Sequence, residues 1–310
     1  MFTQFLNKIS SSLQEIHSID LSIYYVLSGF SGNRFLDRLA RLEEDSNLLK
    51  GGIFFAMYWY LWFRSSPNQE RCRKAIIAIM IGTILSIIAA RTIAFIVPFR
   101  IRPIYDPALP HHLYSIPLTY NLENWSAFPS DTAAYFFALA FGLSYLLRRL
   151  SALIVLYTVG VVCLSRMYLG LHYASDIVTG IAIGITMVWV SLRSDLIQSI
   201  VTRRFLTAME TRPQWFYAIA FLVSFEMATV FDGLRHVGHA ALVAALVGLH
   251  LGSLHSGPGS NRPIDVWGGL IATVGFLVTA AYVMSVLRKL PGVRIVLQRL
   301  AKMITGLRLK

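Results

Sequence analysis

The chain has 310 residues, of which 55% are hydrophobic and only 14% charged. A typical soluble domain carries about 25% charged residues, so this composition excludes a disordered chain, a coiled coil and most ordinary cytosolic enzymes. The 28 basic residues against 16 acidic ones give a net charge of +12. These cations fall in short blocks between apolar runs, where anionic headgroups and the positive-inside rule want them, and no nucleic-acid partner is implied. Cys72 and Cys163 are far apart, and Cys163 lies inside an apolar run, which argues against a disulfide framework.

In chain order, residues 1–46 read as an N-terminal amphipathic, interfacial segment rather than a signal peptide, with 20–31 open to a re-entrant reading. A membrane helix needs about 20 mostly apolar residues. Eight stretches approach that length: 47–63, 75–98, 129–147, 152–169, 176–195, 215–231, 238–255 and 264–287. The aromatic residues Trp59, Tyr60, Trp62, Trp215 and Trp267 suit an interfacial belt. The predicted fold is all-α, a polytopic membrane helix bundle. Its core spans 47–200, an extension at 213–288 adds further transmembrane helices, and a basic amphipathic tail fills 289–310.

Arg64, Arg71, Arg73 and Lys74, then Arg148 and Arg149, then Arg193, Arg203, Arg204 and Arg212 mark three loops on the cytoplasmic side. The loops 99–128 and 170–175 then face outward. Three more spans would carry the tail outward too, against its own Arg288, Lys289, Arg294, Arg299, Lys302, Arg308 and Lys310. The tail's apolar residues recur at helical spacing, which suits binding to anionic membrane lipids.

Polar groups near a bilayer interior are costly and often functional. Three clusters stand out: Arg91 to Pro103; Phe128-Pro129-Ser130-Asp131-Thr132, opening the third span; and Ser165 to Asp176, which closes the fourth span and opens the fifth. The alternation of spans brings all three to one side of the membrane. Guanidinium forks suit phosphate, and a helix N-terminus adds a dipole-assisted anion cradle. His172 and Asp176 at i, i+4 would share a helix face, the carboxylate holding one ring nitrogen protonated and leaving the other as a nucleophile. Taken alone, Arg102 reads as a snorkelling interface residue and Ser130 as an ordinary N-cap. Arg91 reads equally well as an intramembrane ion-pair partner.

These residues resemble the type 2 phosphatidic acid phosphatase (PAP2) superfamily of integral membrane lipid phosphatases, whose pattern is K-x6-R-P, then P-S-G-H, then S-R-x5-H-x3-D. The third motif matches in full from Ser165 to Asp176, with 25 residues between Pro103 and Pro129 and 32 between Thr132 and Ser165. The resemblance covers about residues 30–200. It implies that His172 attacks phosphorus to form a phosphohistidine, that Asp176 orients it, and that Arg102, Arg166 and Ser130 hold phosphate oxygens; no metal or cofactor is implied. Two positions depart from the pattern. The first-motif lysine falls at Phe95, leaving Arg91 or Arg100 to take its place. The second-motif glycine is Asp131, and its histidine, the family's usual general acid, is Thr132.

Thr132 cannot donate a proton near neutral pH. A diphosphate has a far better leaving group than a phosphate monoester, so the expected substrate is a lipid diphosphate, such as undecaprenyl diphosphate. His111 or His112 would be an alternative proton source. A phosphotransferase using the same donor, and a catalytically weak lipid-phosphate-binding or scaffold protein, are the competing readings. The expected location is a bacterial inner membrane with the site facing outward. Oligomeric state is not legible. Glu226, Asp232, His236, His239, His250 and His255 read as polar packing without a recognised metal-ligand pattern.

Overall fold

The computed structural model describes residues 2–109 and 122–231. The expected spans at 238–255 and 264–287, the basic tail, His111, His112 and the polar residues from Asp232 onward lie outside the described residues. Among the described residues the only regular structure is helical. The helices are α1 (Phe2–Ser28), α2 (Arg34–Asp45), α3 (Ile53–Phe63), α4 (Gln69–Ile96), α5 (Asp131–Leu146), α6 (Ser151–Tyr157), α7 (Leu164–Tyr168), α8 (Ala174–Arg193), α9 (Asp195–Ile200), α10 (Thr207–Thr211) and α11 (Pro213–Ala228). A π-helical segment, Leu48–Gly52, runs into α3, and another, Thr158–Cys163, joins α6 to α7.

Among the described residues, three helical stretches are long and apolar enough to cross a membrane: Gln69–Ile96, Arg148–Tyr168 and Ala174–Arg193. The expected spans at 75–98, 152–169 and 176–195 fall on them. The expected span at 129–147 becomes α5, which has 16 residues and is apolar on every side. Such a helix belongs inside a bundle. Tyr135, Phe136, Ala138, Leu139 and Ala140 are fully buried, and α4, α5 and α8 pack against one another as the centre of the fold.

Helix association in lipid gains little from the hydrophobic effect and depends on close backbone approach. Gly180 and Gly184, four residues apart on α8, provide it. A Cβ at Gly180 would collide with the Ser130 carbonyl, and one at Gly184 with the Ala134 carbonyl. Gly82 on α4 meets the Val188 backbone in the same way. This approach sets the start of α5 against the start of α8, where the Ser130 N–H donates to the Asp176 carbonyl at 3.1 Å.

Trp62 departs from the expected interfacial belt. It is buried, because α11 lies against α3 and stacks Phe216 on its ring at a centroid distance of 5.8 Å. Trp215 is exposed, as a belt residue would be.

Candidate functional site

The C-terminal ends of α4 and α7 meet the N-terminal ends of α5 and α8. The opposite ends of these helices carry the arginine-rich turns around 71–74, 148–149 and 193.

α7 ends in a turn that delivers His172. Gly170 takes the left-handed conformation at φ 66°, open to glycine at little cost. Its N–H donates to Met167 O at 3.0 Å and the Leu171 N–H to Arg166 O at 3.0 Å, the paired bonds of a Schellman termination. The chain therefore reverses within one turn of Arg166, and Arg166 and His172 are both buried.

His172 lies before α8 rather than on it, so the helix-face pairing expected for His172 and Asp176 does not form. The imidazole Nδ1 is 2.8 Å from the carbonyl oxygen of Ala127 and 3.9 Å from the Asp176 carboxylate. Only the first is a hydrogen-bond distance. A carbonyl can only accept, so Nδ1 carries the proton and Nε2 presents a lone pair. Nε2 faces Arg102 Nη1 at 3.2 Å. Burial, followed by the charge of Arg102, holds the His172 pKa well below the ordinary 6.5, so the ring is neutral at physiological pH.

Asp176 is fully buried and serves its own helix. One oxygen accepts the Tyr173 N–H at 2.8 Å and the other accepts Arg100 Nη1 at 2.6 Å. Arg100 reaches onward to Asp20 of α1 at 2.6 Å and lies over the Tyr173 ring at 4.2 Å. Arg100 is thus held between two carboxylates.

Arg102 is buried and fixed by backbone carbonyls: Nε donates to Trp125 O at 3.1 Å, Nη1 to Leu171 O at 2.8 Å and Nη2 to Ser126 O at 3.4 Å. Desolvation lowers its pKa to about 10, which leaves it charged at neutral pH. Its plane is pre-set by the fold, so an anion binding here would be spared the entropy of ordering a guanidinium.

Ser130 is fully buried and caps α5, its Oγ accepting the Ala133 N–H at 3.3 Å. Arg91, on α4, pairs with the Asp131 carboxylate and lies over the Trp125 ring at 4.2 Å. Asp131 also accepts the Thr132 N–H at 2.8 Å. Ser165 donates to the Val161 carbonyl one turn back in its own helical segment.

The structure therefore gathers Arg102, Ser130, Asp131, Arg166, His172 and Asp176 at one end of the bundle, with Arg91 reaching them through Asp131. Sequence reasoning missed the frame around them. The segment Trp125-Ser126-Ala127 holds Arg102 and His172 through its carbonyls, and Ala127 N–H donates to Arg100 O at 2.9 Å. Backbone acceptors leave no side-chain signature. Asp20 was also missed, although His17, Asp20, Leu21 and Tyr24 recur at helical spacing.

The family model of the PAP2 superfamily matches residues 96–198, about one third of the chain. That stretch is similar to the PAP2 superfamily, and it contains every residue gathered at the site except Arg91 and Asp20. No curated protein and no solved structure matches the chain.

Proposed function

We propose that this membrane protein hydrolyses the terminal phosphate of a lipid diphosphate, with a polyprenyl diphosphate such as undecaprenyl diphosphate as the best fit. The match of residues 96–198 to the PAP2 superfamily supports lipid-phosphate chemistry. The observation that carries the reading is the setting of His172: Nδ1 lies 2.8 Å from Ala127 O, and Nε2 faces a fixed Arg102 at 3.2 Å.

In this reading Nε2 attacks the terminal phosphorus. The P–N bond forms, the P–O bond to the lipid breaks, and its electron pair leaves on the lipid monophosphate. Arg102, Arg166 and the α5 N-terminus with Ser130 hold the equatorial oxygens, so catalysis is mostly positioning and charge stabilisation. Water then attacks the phosphohistidine, its proton passes to a phosphate oxygen or solvent, and Nε2 recovers its lone pair as inorganic phosphate leaves.

Thr132 supports the diphosphate over a monoester. A monoester expels an alkoxide that needs a proton, help worth about 10²–10⁴-fold, whereas a lipid phosphate leaves unaided. The arginine-rich helix ends opposite the site support an outward-facing site, and the proposed location is a bacterial inner membrane.

The test measures phosphate release by purified protein in detergent from a lipid diphosphate and from the matching monophosphate. Release from the diphosphate that His172→Ala abolishes is the expected result. Preference for the monophosphate, or equal release by both proteins, overturns the proposal. A phosphorylated acceptor in place of free phosphate would identify a transferase.

A further inference from the structure

The N-terminal helix contributes a carboxylate that the proposed reaction does not use. Asp20 on α1 is only 2% exposed. A buried carboxylate is costly unless it is paired and hydrogen-bonded. Its partners are Ser175, three residues after His172, and Arg100, which also bonds Asp176. One oxygen accepts the Ser175 N–H at 2.9 Å; the other accepts Ser175 Oγ at 2.5 Å and Arg100 Nη2 at 2.6 Å.

Ser175 is in the first turn of α8, where backbone N–H groups lack intrahelical acceptors. Asp20 supplies one from another helix, while Asp176 supplies one from within through the Tyr173 N–H. Arg100 ties the two carboxylates together at 2.6 Å on each side, and its Nη1 also donates to Ser175 Oγ at 2.7 Å. The rest of the same α1 face seats the helix. Leu21 and Tyr24 pack with Leu109 and Tyr173, and the His17 ring meets the Tyr173 ring edge-on at 6.3 Å.

We infer that Asp20 is a positioning residue for His172, acting through Arg100, Ser175 and Asp176 to fix the turn 172–176 and so the direction of Nε2. The inference rests on the reading of His172 as nucleophile. Asp20 bonds none of the phosphate-facing residues, so its loss falls on the chemical step and spares substrate binding.

The test compares full-length wild type, Asp20→Asn, Asp20→Glu, Arg100→Gln and the Asp20→Asn/Arg100→Gln double variant in detergent, with a lipid diphosphate as substrate. Misplacing a reacting atom by about 1 Å costs on the order of 100-fold, so Asp20→Asn is expected to lower kcat about 10- to 100-fold with KM nearly unchanged. Asp20→Glu, which keeps the charge for Arg100, recovers part of that loss. The double variant is no slower than Arg100→Gln alone, because both changes break one linkage. A kcat within about twofold of wild type, additive losses, or a kcat loss that matches the fraction unfolded in a thermal melt each overturns the inference.

A second readout does not depend on turnover. In nitrogen-15 imidazole spectra, the His172 signal is the one that His172→Ala removes. It is expected as the Nδ1–H tautomer in wild type and as a mixture in Asp20→Asn. If wild type releases no phosphate but the tautomer shifts in this way, the phosphatase reading fails and the positioning role stands; an unshifted tautomer overturns the positioning role.

Discussion

The proton on His172 Nδ1 is held by the carbonyl oxygen of Ala127 at 2.8 Å, and the Asp176 carboxylate stands back at 3.9 Å. Asp176 therefore acts on His172 through the backbone, by capping α8 and pairing Arg100. Where a carboxylate directly sets a histidine tautomer, its amide variant loses about 10⁴-fold in kcat, as in serine proteases. Asp176→Asn keeps an oxygen for the Tyr173 N–H and forfeits only the charge facing Arg100. It is expected to retain far more activity, with a kcat loss of about 10- to 100-fold. Steady-state kinetics on a lipid diphosphate decide this, and a loss near 10⁴-fold would reinstate the direct carboxylate–imidazole pair.

The pH dependence follows from the same imidazole. Burial, then Arg102, holds the His172 pKa below 6.5, so the imidazole stays deprotonated through neutral pH. The acid limb of kcat/KM is expected to fall below pH 6.5 rather than at it. Stability moves in the same direction. The unfolded chain takes up the histidine proton near pH 6.5 and the folded chain does not, so this stabilisation is full above pH 6.5 and is lost as pH falls toward the folded value. A pH–rate profile paired with thermal melts over the same range tests both. An acid limb above pH 6.5 would contradict the buried, neutral ring.

Much of this architecture was legible in the sequence, for identifiable reasons. Long apolar runs mark α4 and α8, and the S-R-x5-H-x3-D spacing marks the turn between α7 and α8 because a fixed local geometry needs fixed offsets. Gly170 within that spacing takes the left-handed conformation that delivers His172. Four features were hidden. Ala127 works through its carbonyl, which every residue has. Arg100 and Arg102 are indistinguishable by type, and only the fold turns one toward Asp20 and the other toward His172. Asp20 lies 80 residues before Arg100 and reads locally as one polar position on an amphipathic helix. Trp62 reads as an interfacial residue because the sequence gives no sign that α11 covers it.

Gly170 offers a test of the turn itself. With φ at 66°, a side chain there meets the left-handed penalty of about 1–2 kcal/mol. Gly170→Ala is expected to lower stability by about 1 kcal/mol. Activity should fall by more than this stability loss explains, because Arg166 and His172 are positioned from the two ends of the same Schellman turn. Thermal melts and kcat measured together check this. Unchanged kcat in a destabilised protein would uncouple the turn from the site.

The last expectation concerns Thr132, the second residue of α5. Its neighbour Asp131 pairs with Arg91, so a side chain at position 132 starts from a backbone anchored at the site. In the proposed reaction a monoester is slow because no group protonates the leaving alkoxide. Thr132→His places an imidazole at the position that the family pattern assigns to the general acid. The gain should fall on the monophosphate and approach the 10²–10⁴-fold contribution of general acid catalysis, with about tenfold as a lower expectation. Turnover of the diphosphate should change little, since its leaving group needs no proton. Side-by-side assays of both lipids with wild type and Thr132→His separate the outcomes. Equal gains on the two substrates would mean that position 132 governs binding, and no gain on either would mean that the α5 N-terminus does not face the leaving group.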